Sequence, residues 1–406
     1  MYLRFAWRYF KSKKSANAIN IIAWVTVGVI AFATCCQVLV LSVFNGFEDL
    51  VKSLYSSFYT DIKVAPARGK TFTLQPSQID AIHKQAGIAY ASLIAEEKAL
   101  LKNGEAQTVI YLKGVDDDYA RVSGVPEKVT RGKYFTGTPD APTLVSGTGI
   151  HNAAGMSLSP LEPGDTPTII LPRRGISGAD LLESISEGHV QPAGVFAIQQ
   201  EFDDKYAITN IGFVKAQLGL GADEYSAVEI KLAEKADPKQ VQKALQSLLG
   251  KEYNVFTRYE QNRSLYATMQ LEKLAIYGVF TLILIIVAFN MVSALTMLVL
   301  EKKKDISVLQ SMGAGRSMIL KIFLSEGLLL GGIGSVIGIV LATIICLLQL
   351  KFKLIKIEGG SFLLDYFPVK MMASDFLFVA LIAAFIAFAA AWFPARKASR
   401  QVFELR

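Results

Sequence analysis

Leu274-Ala-Ile-Tyr-Gly-Val-Phe-Thr-Leu-Ile-Leu-Ile-Ile-Val-Ala-Phe-Asn-Met-Val-Ser-Ala-Leu-Thr-Met-Leu-Val-Leu300 is a run of 27 residues without a charge, closed by Glu301-Lys-Lys-Lys-Asp305. A helix needs about 20 predominantly apolar residues to cross the hydrocarbon core of a bilayer, so this run reads as a membrane span. Three more uncharged runs accompany it: Ser15–Phe47 (33 residues), Gly327–Leu350 (24) and Phe376–Ala395 (20). The spans are expected near 20–44, 274–300, 321–349 and 376–394. A cleaved signal peptide would also place Arg4, Arg8, Lys11, Lys13 and Lys14 before an apolar run. Its apolar region is usually about 7–15 residues and ends in small residues. The first run is longer and ends in Val-Phe-Asn-Gly-Phe, so it is expected to stay as a span.

The charges around these runs give the orientation. Of 406 residues 52% are hydrophobic and only 19% charged, which excludes a disordered chain, a coiled coil and a collagen-like fibre. Residues 45–270 carry 23 Lys/Arg and 27 Asp/Glu, a net of −4, whereas the remainder carries 19 and 8, a net of +11. A nucleic-acid binder would put its positive charge on the polar domain; here it flanks the spans, so no nucleic-acid partner is expected. Basic residues cluster before the first span, between the second and third (Lys302, Lys303, Lys304, Arg316, Lys321) and after the fourth (Arg396, Lys397, Arg400, Arg406). All three clusters fall on one side if both termini are cytoplasmic. The 351–374 connection is then on the far side with Lys351, Lys353, Lys356 and Lys370, against that rule.

The expected organisation is therefore a cytoplasmic amino terminus and first span over 1–47, a mixed α+β extracytoplasmic domain over 48–271, and three clustered spans over 272–406. Within the domain, Asp61–Ala65, Gln107–Val115, Thr168–Leu171, Val195–Gln199, Ala227–Leu232 and Val255–Tyr259 have the composition of strands. Pro76–Gln85 and Pro238–Leu249 read as helices, the second with Asp237 as N-cap and Gly250 past its end. The two ends of the domain share a strand–helix–strand pattern, Ile62–Val64, Pro76–Gln85 and Tyr90–Ile94 against Val228–Leu232, Pro238–Leu249 and Val255–Tyr259, and are expected to pack together, with 115–225 as a more β-rich lobe. Cys35, Cys36 and Cys346 lie in the apolar runs, so the domain has no disulfide framework.

Reaction chemistry is missing from the motifs. There is no G-x-x-x-x-G-K-[ST] loop for ATP and no G-x-S-x-G elbow. His83, His151 and His189 are isolated, so no metal or other cofactor is expected. Asp116-Asp117-Asp118 reads as a solvated turn, because a calcium loop needs alternate spacing and a bidentate Glu. Two other patterns carry information. Ile306, Leu309 and Met312 recur every three residues in the basic connection, followed by Gly313 and Gly315. This is a brief apolar stripe ended by a glycine turn, where a plain connector would need only the lysines that suit anionic headgroups. In the third span Gly327, Gly331, Ser335 and Gly338 have the spacing that lets helices approach closely in lipid. Gln37 and Asn290 are read as polar glue between spans.

The chain resembles the permeases of the MacB-like ABC transporter superfamily, and within it the lipoprotein-releasing LolC/LolE type. Three stretches carry the resemblance: Phe5-Ala-Trp-Arg-Tyr-Phe-Lys-Ser-Lys-Lys14 with Leu41-Ser-Val-Phe-Asn-Gly-Phe-Glu48; Glu301 to Ala314 continued by Glu326-Gly327; and Phe393-Pro-Ala-Arg-Lys-Ala-Ser-Arg400. The resemblance implies a non-enzymatic permease in the cell inner membrane, paired with a second permease subunit and served by two copies of a separate P-loop ATPase. It implies that 301–313 is a coupling helix entering a groove of that ATPase, through Glu301, Asp305, Ile306, Leu309, Met312 and Gly313. It implies extraction of lipoproteins for a periplasmic chaperone, with acyl chains near Val40, Phe44 and Phe47. Packing of those three residues against the other spans accounts for the same spacing. A chaperone hook would fall in Pro172–Gln191, beginning Pro172, Arg173 and Arg174, although this loop departs from the family in sequence. Efflux or cell-wall permeases of the same superfamily, and a membrane-anchored sensor, are the alternatives. The opening motif speaks against the former and the coupling pattern against the latter.

Overall fold

All four uncharged runs are helical over their described residues in the computed structural model, which describes residues 17–158, 166–173, 185–356 and 366–400. The helices are Asn17–Phe58, Arg263–Glu301, Arg316–Phe352 and Ala373–Arg400, each long and apolar enough to cross a membrane. The first continues fourteen residues beyond the expected span end at 44. Glu48, Asp49 and Lys52 mark departure from the apolar stretch, not the end of the helix. The described residues fall into two units, one within Met1–Leu50, Ala267–Glu358 and Leu364–Arg406, the other within Val51–Tyr266.

In the membrane unit the third span helix is the centre of packing, because its small residues form two faces. A Cβ on Gly327 would overlap the Ala391 methyl, and one on Gly331 the Ala387 methyl, both on the fourth span helix. A Cβ on Gly334 would press on Ile30, and one on Gly338 would overlap the Ala31 carbonyl, both on the first. Ser335 is buried, and its hydroxyl donates to the Gly331 carbonyl at 2.7 Å. Small residues therefore seat two neighbours at once, and Gly334 belongs with the four picked out by spacing. Around them Val27, Ile30, Leu284, Met291, Leu295, Leu330 and Ala391 form one apolar core. Gln37 and Thr34 are buried, and Asn290 is exposed, so only the first of the two expected polar-glue residues lies inside the bundle.

The second unit is built on one mixed sheet. Its strands run in the order Tyr253–Thr257, Ile62–Pro66, Ala227–Leu232, Ile88–Asn103, Ala106–Val115, Tyr206–Asn210, Thr143–Gly147, Gln191–Phe196 and Val129–Gly132. Thr168–Pro172 adds to Ile88–Asn103 and carries Ile185–His189. The two ends of the segment pair directly, Ile62 opposite both Ile230 and Thr257. The middle does not form a separate lobe: its strands extend the same sheet through the parallel pairing of Ala106–Val115 with Tyr206–Asn210. Helix Pro238–Leu249 starts where the Asp237 carboxylate accepts the Lys239 N–H, and its Val241, Leu245 and Leu249 face the core with Ile62, Ile82 and Ile230. A second core gathers Leu101, Leu112, Leu144, Ile169 and Val214.

A buried ion pair ties the sheet together. Lys113 and Glu229, 2% and 4% exposed, meet at 2.7 Å. The Lys113 ammonium also lies 4.9 Å from the Phe58 ring centre and 5.0 Å from that of Tyr119. Both rings present their negative faces to a cation that water cannot reach.

Candidate functional site: the two ends of the membrane bundle

The span connections alternate between the two ends of the bundle. In chain order the 51–266 unit follows the first span helix and precedes the second, and the 301–315 segment joins the second to the third. The second span helix ends at Glu301, and a separate helix covers Lys303–Ser311. Glu301 is therefore not in the amino-terminal turn of the short helix. Asp305 is, where the helix dipole favours it, 3.6 Å from the Lys302 ammonium. The far end is a complete Schellman turn: Gly313 N–H donates to the Gln310 carbonyl and Ala314 N–H to that of Leu309, with Gly313 at φ +91°. Only a residue tolerant of the left-handed region ends the helix this way.

The expected ridge is divided. Ile306 is 2% exposed and packs with Leu298, Val299, Ile319, Phe323, Ala395 and Ala398. Leu309 is half-buried, while Met312 is 79% and Val308 54% exposed. The reason is geometric. At 3.6 residues per turn each step of three slips back by about 60°, so Ile306 and Met312 end about 120° apart. Ile306 anchors the helix to the span helices, and the apolar surface turned outward is Val308 and Met312 with the edge of Leu309. Val308 escaped the three-residue pattern, although its spacing of four from Met312 was the available signal. Lys303, Lys304 and Asp305 are exposed beside it.

At the opposite end, Val40 is exposed and Phe44 and Phe47 are half-buried. The Phe47 ring meets Phe367 edge-on at 5.7 Å. Between these two phenylalanines Asn45 is buried, a polar residue that apolar periodicity passes over.

In the second unit, Pro172 closes the Thr168–Pro172 strand and is exposed, as is Arg173; Arg174 lies outside the described residues. The Asp116 carboxylate accepts from Ser92 Oγ at 2.6 Å and Leu93 N–H at 2.7 Å, so it staples two strands. Burial raises its pKa, against the opposing effect of those bonds. His151 is buried, which lowers its pKa, and Arg131 adds to the effect. Among the described residues no group of three or more His, Cys, Asp or Glu gathers as a metal site.

Comparison with known proteins covers both ends. The family model described as MacB-like periplasmic core domain matches residues 23–248, and that described as FtsX-like permease C-terminal matches 277–403. The chain is 25% identical to the lipoprotein-releasing system transmembrane protein LolC of Neisseria meningitidis serogroup B, over 97% of this chain and 95% of that one. It is 25% identical to the transmembrane protein LolE of Haemophilus influenzae, over 97% and 96%. LolC of Xylella fastidiosa strain 9a5c is 22% identical over 97% and 95%. A family match over more than half the chain, joined to a permease match over the spans that follow, carries the conclusion: the chain belongs to the MacB-like permease family and is of the LolC/LolE type.

Proposed function

We propose that this chain is the permease subunit of an inner-membrane ABC transporter that extracts lipoproteins and passes them to a periplasmic chaperone. ATP is hydrolysed on a separate P-loop ATPase, present in two copies, and a second permease subunit completes the membrane part. The chain itself catalyses no reaction. The observation that carries this reading is the short capped helix Lys303–Ser311, pinned inward by Ile306 and open outward at Val308 and Met312. It joins the second and third span helices on the side proposed to be cytoplasmic, where a motor would have to push. Alignment with lipoprotein-releasing permeases over nearly the whole chain supports the same reading.

In this arrangement both termini and the 301–315 segment are cytoplasmic, and the 51–266 unit is periplasmic. Val40, Phe44 and Phe47 receive acyl chains at the outer end of the first span helix. Pro172 and Arg173 stand at the edge of the region proposed to meet the chaperone. Reporter fusions at Gly137 and Gly313 test the topology. A reporter active only outside the cytoplasm is expected to work at Gly137 and fail at Gly313. Cytoplasmic signals from both would contradict the arrangement.

A further inference from the structure

Tyr253-Asn-Val-Phe-Thr257 has no charge, proline or glycine, and its Tyr, Val, Phe and Thr are strand-forming types. At an open sheet edge such a segment is a template for another chain. Among the described residues it does end the sheet. It pairs with Ile62–Pro66 on one side, from Thr257 opposite Ile62 to Tyr253 opposite Pro66, and with no strand on the other. Ala67 N–H donates to the Glu252 carbonyl and Arg258 N–H to that of Asp61. Residues 252, 254, 256 and 258 therefore turn their backbone groups inward, and Tyr253, Val255 and Thr257 turn theirs outward.

Side chains meet these outward groups where a strand would. Gln246 Nε2 donates to the Tyr253 carbonyl at 2.8 Å, and Gln246 Oε1 accepts the Val255 N–H at 3.2 Å. One amide thus makes both bonds of a peptide group in a neighbouring strand. Gln242 Nε2 donates to the Val255 carbonyl at 2.7 Å. Glu260 Oε2 accepts the Thr257 N–H at 2.9 Å and also accepts from Gln242 Nε2 at 2.6 Å, which ties the two side chains together. Gln242 and Gln246 stand one turn apart on helix Pro238–Leu249, each next to a core residue, Val241 and Leu245. Burial of the apolar face therefore lays the amide row along the edge.

The opposite end of the strand path is guarded by other means. Val129–Gly132 has four residues, a register shift between Val129 and Arg131, and exposed Arg131 and Lys133 at hand. Shortness, irregularity and charge are common edge defences. Tyr253–Thr257 has no charge and no register shift, so its defence falls to Gln242, Gln246 and Glu260.

We infer that these three side chains are a seal that keeps the Tyr253–Thr257 edge from adding a strand, and that the partner excluded is the same edge of a second copy. Two such edges are self-complementary about a two-fold axis. The test uses the full-length permease in detergent, with Cys35→Ala, Cys36→Ala and Cys346→Ala as background and Asn254→Cys, at an exposed position, as reporter. In antiparallel pairing centred on Val255 the two reporter thiols lie diagonally, about 7–8 Å apart, within reach of a short bifunctional thiol reagent. Gln242→Ala with Gln246→Ala removes the bonds to Tyr253 and Val255 while keeping good helix formers. Hydrogen exchange at the Val255 N–H is expected to quicken about tenfold. A cross-linked dimer, rising with protein concentration, is expected where the parent gives none. Lys243→Ala, exposed on the same helix, is expected to change neither. Gln246→Ala alone is expected to give both changes more weakly, which keeps the seal testable if the double variant does not fold. Faster exchange without the dimer would show that the amides bond the edge without guarding it, and would overturn the seal. Unchanged exchange in a folded double variant would overturn it as well.

Discussion

Lys113→Met is expected to destabilise the 51–266 unit by about 3–5 kcal/mol, because it leaves a buried carboxylate without its counter-charge. Glu229 is 4% exposed, and its second oxygen has no hydrogen-bond partner, so nothing else compensates the loss of Lys113. The cation contacts with Phe58 and Tyr119 are lost as well. For a unit of this size the shift corresponds to a fall of about 6–20 °C in its melting temperature. Calorimetry of the full chain in detergent checks it. The double variant Lys113→Met with Glu229→Met is expected to recover most of the loss, since apolar replacement of both partners is often neutral. A single variant that melts like the parent would show that the pair contributes nothing.

Met312→Asp combined with Leu309→Asp is expected to abolish association with the ATPase while leaving membrane insertion normal. Met312 is exposed and Leu309 half-buried, so the charges do not disturb the bundle. In an apolar groove of a partner each would be costly unless paired, and every 1.4 kcal/mol is about tenfold in affinity, so a loss of at least about a hundredfold is expected. Ile306→Asp has a different expected result. It places a charge in the cluster of Leu298, Phe323 and Ala395 and should impair assembly of the permease itself. Lys303→Ala, at an exposed position, should change association little. Co-purification of the permease with its ATPase distinguishes these outcomes. Undiminished association of the double variant would contradict the docking surface.

The spans were readable because absence of charge over twenty or more residues has few other causes. The continuation of the first helix to Phe58 was not, since charges mark where a helix leaves lipid without marking where it stops. In the domain, Ile88–Asn103 was read only around Tyr90–Ile94, because Glu96, Glu97 and Lys98 interrupt the alternation. Their places in the strand depend on partners elsewhere, as where Lys70 meets Glu97 at 2.7 Å. Thr143–Gly147 and Tyr206–Asn210 are five-residue strands near the middle of the sheet, too short for periodicity to separate from loop. The buried Lys113 and the buried Asp375 were invisible for one reason. A charged residue's fate is decided by a partner that sequence places far away: Glu229 in one case, and in the other Asn45, which donates to the Asp375 carboxylate at 2.5 Å. A helix was expected over 301–313 and the observed one runs Lys303–Ser311; its inward and outward faces required the angular slip between Ile306 and Met312 to be worked out in three dimensions.

The most direct test of the permease role is a release assay. Vesicles containing the permease, its ATPase and a fluorescent triacylated lipoprotein are supplied with ATP and a soluble lipoprotein chaperone. The expected result is transfer of the lipoprotein to the soluble fraction with ATP, and none with a non-hydrolysable analogue or without the permease. Hydrolysis of ATP by the complete complex with the lipoprotein still in the membrane would contradict lipoprotein extraction as the function of this chain.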